Sequence, residues 1–141
     1  MDNGNSGPLA GGGDLEALAH AMALSYLERP RFASLVSVTT SVLERNITVD
    51  AVVWFKTEMF ELAIRVGNAV HAVVPSMDMD RTQQFLKYGL VLVVGLWPAA
   101  HPPPAVEEAL RRPELQYACV DLERDLELAI LTLLRGLRAD D

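Results

Sequence analysis

Cysteine is almost missing from this 141-residue chain, which holds only Cys119. No disulfide can close within the chain, and that fits a reducing compartment. Basic charge is scarce too: twelve Lys and Arg stand against nineteen Asp and Glu, for a net charge of −7. A surface that grips a polyphosphate shows a basic excess or a basic stripe. The scattered cations here form neither, so direct nucleic-acid binding by these residues is not expected. The three histidines, His20, His71 and His101, stand far apart. None pairs as HxxxH or sits beside the cysteine at a ligand spacing, so no metal is expected. A nucleophile-elbow GxSxG, a phosphate-binding P-loop and a dinucleotide GxGxxG are all missing. With them goes the expectation of a cofactor. The longest apolar run lies within Tyr88 to Ala100, with Lys87 and His101 close on either side, and is too short to span a membrane. The N-terminus has no basic and no apolar region of a signal peptide. The expectation is a soluble, cytoplasmic protein with no membrane partner.

What is present is apolar and helical. Half the residues are hydrophobic and 22% are charged, as in ordinary folded domains. Residues 1–13 carry five of the nine glycines and cannot repay their ordering entropy by burial, so they are read as a disordered leader or an appended remnant. Residues 14–138 are read as one domain of about six helices.

Asp14 is the expected cap of the first helix, whose Leu15, Leu18, Ala19, Met22 and Tyr26 recur at helical spacing until Pro30. The second helix is expected over about 31–45, with Phe32, Leu35, Val36, Thr39, Val42 and Leu43 inward and Asn46 as its stop. Thr48 can cap a third helix running to Val74, about 40 Å long at 1.5 Å per residue. Its apolar stripe is Phe55, Met59, Leu62, Val66, Ala69 and Val73; Lys56 and Phe60 flank it, and Trp54 falls on the polar side.

Ser76 or Asp78 can cap the fourth helix, expected to reach Trp97. From Tyr88 onward it is apolar all round, which demands burial on every side. In so small a domain one side must meet the chain's own core and another a second subunit. Gly89 and Gly95 cost helix stability and are expected where backbones approach closely. His101-Pro102-Pro103-Pro104 is a rigid break, followed by a short helix over about 105–112. The last helix, about 120–138, is capped by Asp121. Its inner stripe is Leu122, Leu126, Ala129, Ile130, Leu133 and Leu137. Leu128, Leu131 and Leu134 lie off that stripe and again suggest a second apolar contact, such as a four-helix dimer seam.

The carboxylates, among them Glu58, Glu61, Glu107 and Glu108, fall on expected solvent faces, and no catalytic residue is assigned. Cys119 reads as a small, at least half-buried hydrophobe before the last helix. Sites between helices are commonly lined by aromatics, Met and a few hydroxyls. Met22, Tyr26, Thr39, Phe55, Met59 and Tyr88 are the candidates for such a cavity, with Trp97 at its border with the seam. Thr40 adds a second hydroxyl beside Thr39.

Two stretches carry a resemblance. One is Phe32-Ala33-Ser34-Leu35, then Val42-Leu43-Glu44-Arg45-Asn46, then Phe55-Lys56. The other is Gly95-Leu96-Trp97-Pro98, Pro103-Pro104-Ala105-Val106 and Arg112-Pro113-Glu114-Leu115. Together they resemble the C-terminal regulatory domain of TetR (tetracycline-repressor-like) transcriptional regulators, over about 14–138. The resemblance implies an all-α domain that binds a small, often apolar or aromatic molecule between helices. It also implies a homodimer joined by a four-helix bundle, here from helices 79–97 and 120–138. The interface residues would be Leu90, Val91, Val94, Leu128, Leu131 and Leu134. DNA binding would reside in an N-terminal helix-turn-helix head that these residues lack. The alternative is a helical homodimerisation module with no natural small-molecule ligand.

Overall fold

The computed structural model describes residues 12–39 and 45–138, side chains of residues 12 and 13 excepted. The leader up to residue 11, Thr40, Val42, Leu43 and Glu44 lie outside the described residues. Every regular element described is a helix: α1 (Gly12–Leu27), α2 (Pro30–Thr39), α3 (Val49–Val73), α4 (Met79–Ala100), α5 (Pro104–Leu110), a 3-10 helix (Pro113–Ala118) and α6 (Leu122–Leu137). The 3-10 helix is one element more than the apolar spacing announces.

Helix ends follow local chemistry. α1 starts at Gly12, so Asp14 is not its cap; it stands in the first turn, where its charge faces the positive end of the helix dipole. α1 stops at Leu27, and the Arg29 guanidinium donates to the Ser25 carbonyl (3.0 Å) and to its Oγ (2.7 Å). Pro30 then opens α2, where a missing N–H costs nothing. Asn46 lies in a bend without a positive φ, so it does not use the left-handed stop expected of it. Thr48, Asp78 and Asp121 cap α3, α4 and α6 as expected, accepting from the N–H of Ala51, Arg81 and Arg124.

α1 and α4 both pack on α6, and α4 also packs on α2 and α3. The core takes Leu15, Ala19 and Ala23 from α1, Val70 and Val74 from the end of α3, Phe85 and Val93 from α4, and Leu126, Ile130 and Leu134 from α6. Each large side chain fully buried contributes about 1.5–3 kcal/mol. The α1 row is Leu15, Ala19 and Ala23 at intervals of four, and its two alanines leave little side chain between α1 and its neighbours. At the rim of that contact, Glu16 meets Arg135 at 3.2 Å and His20 Nδ1 meets Glu127 at 2.9 Å.

α3 and α4 form a tight antiparallel hairpin. His71 Nδ1 donates to the Met77 carbonyl (2.7 Å), and the buried Thr82 hydroxyl donates to Asp78 O (2.8 Å). Buried Gly67 faces α4: a Cβ there would stand 3.4 Å from Leu86 Cδ1 and 3.6 Å from Thr82 Cγ2. Gly89 and Gly95, expected where backbones approach closely, have nothing within 4 Å of a built Cβ inside this protomer.

The contact face of α3 differs from the expected stripe. Gly67 and Val70 are buried and Val52, Phe55, Met59 and Ala63 half-buried, whereas Leu62, Val66, Ala69 and Val73 are exposed. Apolar residues flank the true contact row on both sides, so spacing alone misphases the helix. Trp54 and Phe60 are exposed. α4 also outlasts its expected end at Trp97: Pro98 sits in its last turn, and His101 N–H donates to Pro98 O. The proline-rich break then turns the chain by 83° into α5.

Candidate ligand and dimerisation surfaces

The outward face of α4 changes character along its length. In the first half it presents Asp80, Arg81, Gln84 and Lys87; in the second, Tyr88, Val91, Gly95 and Ala99, all exposed. Val91 is 62% exposed and Tyr88 40%, with the Tyr88 hydroxyl accepting from Gln84 Nε2 at 2.9 Å. Leu90 and Val94 are half-buried at its edge. The same helix buries Phe85, Gly89 and Val93 on its opposite side, so one helix serves the core and leaves an apolar face uncovered.

The three leucines of α6 expected at a seam have three different environments. Leu128 is 57% exposed. Leu131 is half-buried against the core, on the row of Glu127 and Arg135 that faces α1. Leu134 is 0% exposed and belongs to the chain's own core, so it has no surface left for a partner. The reason is phase: α6 is leucine-rich around most of its circumference, and the core takes the Leu126, Ile130, Leu134 row.

The residues expected around a cavity divide as well. Met22, Tyr26 and Trp97 all pack against the core cluster. Tyr26 stacks on Phe32 with ring centroids 6.4 Å apart, and burial pushes its phenol above the usual range. Phe55, Met59 and Thr39 are half-buried outside that cluster, and the Thr39 hydroxyl is spent on the Leu35 carbonyl at 2.7 Å. Leu35 itself points outward. Trp97 stacks on His101 (4.3 Å), whose Nδ1 donates to the Trp97 carbonyl and closes the end of α4. Sequence reasoning missed Ala23, Gly67 and Thr82 as packing residues, since a small side chain or a threonine carries little apolar signal, and it also passed over Val70, Met77 and Phe85, which stand outside the apolar rows it followed.

A concave surface of about 660 Å³ lies elsewhere, on α5 and the 3-10 helix, lined by Ala105, Glu108, Arg111, Arg112, Pro113 and Leu115. Neither element contains a buried residue, so this is an open cleft and not the enclosed inter-helical cavity the sequence suggests. Cys119, expected to be at least half-buried, is exposed, with its thiol 3.6 Å from the Leu110 carbonyl. Among the described residues no three His, Cys, Asp or Glu side chains converge on a point that could hold a metal. No single described helix is long and apolar enough to cross a membrane.

A model of the tetracyclin repressor-like C-terminal domain matches residues 4–141. The chain belongs to that family. No curated protein matches it. Membership of the tetracyclin repressor-like C-terminal domains fits the all-helical architecture and marks the chain as a regulatory domain of a transcriptional regulator. For a tetracyclin repressor-like domain, the uncovered second half of α4 is the feature of first interest.

Proposed function

We propose that this domain senses a small apolar or aromatic molecule and holds two copies of its regulator together, while operator recognition belongs to a separate helix-turn-helix head. The observation that carries the dimerisation part is the outward face of α4 from Tyr88 to Ala99. A helix end with an apolar circumference, covered by the chain's own core on one side only, is best completed by a second copy. Val91 is its central residue, with Leu90 and Val94 at the edge, and exposed Leu128 is the residue α6 would add to the seam. Arginine at position 91 should turn the dimer into a monomer without unfolding the protomer. A Val91→Arg protein that stays dimeric would move the seam elsewhere, and Val53→Arg on the exposed side of α3 is the control that would find it there.

The sensing part rests on family membership and on half-buried Met22, Tyr26, Phe55, Met59 and Trp97, residue types that line adaptable apolar sites. Thr39 and Tyr88 are placed at its margin. The reading of a dimerisation module with no natural small-molecule ligand is favoured by a different observation. The buried polar side chain Thr82 has its partner, and no buried polar side-chain atom among the described residues lacks one. A thermal-shift screen of apolar and aromatic compounds decides between them. Saturable stabilisation, lost in Phe55→Ala or Met59→Ala, supports sensing. No saturable shift across the screen supports the plain module.

A further inference from the structure

The segment between α4 and α6 is an arm that its own protomer leaves uncovered. α5 leaves the end of α4 at 83°, and α5 and the 3-10 helix pack chiefly on each other. Neither holds a buried residue. The arm is nevertheless built to one shape. Pro104 and Pro113 open its two short helices. Gln116 Nε2 donates to the Leu110 carbonyl (2.7 Å), and Glu107 and Arg111 pair at 3.6 Å one turn apart. Two of its large apolar side chains face solvent, Tyr117 86% exposed and Val106 46%, while Leu110 and Leu115 are half-buried. A short segment fixed in this way with no fully buried residue repays its ordering best when something covers it.

We infer that this arm, residues 104–118, docks on a second copy of the chain and extends the α4–α6 seam, with Tyr117 as its anchor. The inference rests on the dimer reading above. Area supports it. A stable interface covers about 800 Å² per partner, a little over half of it apolar, or roughly 450 Å². At their exposures, Tyr88, Val91 and Leu128 offer roughly 300 Å² between them, which half-buried Leu90 and Val94 only supplement. Tyr117 and Val106 offer roughly 300 Å² more, enough to reach the required size. Continuity supports it as well: the exposed second half of α4 runs through Pro98 and Ala99 directly into the arm. A tyrosine with most of its ring free is also a residue type that interfaces favour as an anchor.

The test compares the wild-type chain with Tyr117→Glu and Val91→Arg. Dissociation constants come from sedimentation equilibrium, and hydrogen exchange of the arm amides is measured above and below the wild-type constant. Tyr117→Glu should raise the dissociation constant at least tenfold. Its thermal melt at concentrations where both proteins are monomeric should not change, because Tyr117 itself is exposed in its own protomer. The wild-type amides of residues 104–118 should exchange more slowly in the dimer than in the monomer. A dimer whose constant ignores Tyr117→Glu, and whose arm amides exchange equally in both states, overturns the arm and leaves the seam standing. Slower exchange confined to α3 in the dimer overturns both placements. A wild-type chain that stays monomeric at every concentration removes the dimer itself and the arm with it.

Discussion

Leu128 and Leu134 are the same residue on the same helix, and truncating each to alanine should give sharply different results. Leu134 is fully enclosed between α1, α4 and the rest of α6. Its removal forfeits the transfer free energy of the lost atoms and leaves a cavity, in total about 3 kcal/mol within a range of 2–5. Domains of this size hold about 5–15 kcal/mol, so the loss is a large share, equivalent to roughly 10–15 °C in melting temperature. Leu128 is more than half exposed and should cost the isolated protomer under about 1 kcal/mol. The assay is urea denaturation over a hundredfold range of protein concentration. Leu134→Ala should be destabilised at every concentration. Leu128→Ala should match the wild type when dilute and fall behind it only where the wild type is dimeric, because a contact between copies contributes through mass action. Equal losses in the two variants at low concentration would refute the assignment of Leu134 to the core and Leu128 to the surface.

Other expectations come from the caps, the hairpin and the α1–α6 rim. Asp78→Ala removes the acceptor for the Arg81 N–H and should cost about 1 kcal/mol, read as a shift of the urea midpoint at unchanged slope. At Gly67, alanine should be tolerated, since its Cβ meets Leu86 and Thr82 at ordinary contact distances, whereas valine should destabilise by about 1–3 kcal/mol through overpacking. A Gly67→Val protein as stable as Gly67→Ala would deny the close α3–α4 approach. His20 titrates above its ordinary value because it donates to Glu127 and feels that carboxylate's charge. The proton is therefore held more tightly in the folded state. The stability it contributes is complete below the unfolded-state pKa and is lost as pH rises through the raised folded value. Glu127→Gln should return the His20 titration, followed by NMR of the ring protons, toward its ordinary midpoint.

The sequence reveals helix limits better than helix phase. Thr48, Asp78 and Asp121 announce three N-termini because a side-chain oxygen must satisfy an orphan N–H there, and those bonds form. Pro30 marks a boundary for a similarly local reason. Phase depends on contrast between faces, and α3 has little. α3 carries Val49, Val53, Phe60 and Ile64 on one flank of its contact row and Leu62, Val66 and Val73 on the other, and both flanks are exposed. On α6 the run from Leu126 to Leu134 is apolar at seven of nine positions, and the expected inner stripe is set about a quarter turn away from Leu134, which belongs to the core row with Leu126 and Ile130. Small residues are the least legible, since Ala23 and Gly67 work by what they leave out. The 3-10 helix has too few residues for any period to show. The outward apolar end of α4 was legible, because a run without a polar face allows no other reading.

Light scattering after size exclusion, across a dilution series, tests the dimerisation claim most directly. A species of twice the 15.5 kDa chain mass is expected at high concentration, reduced to one chain mass by Val91→Arg with helicity unchanged. A single 15.5 kDa species at every concentration would contradict it, since the exposed α4 face would then have no second copy to cover it.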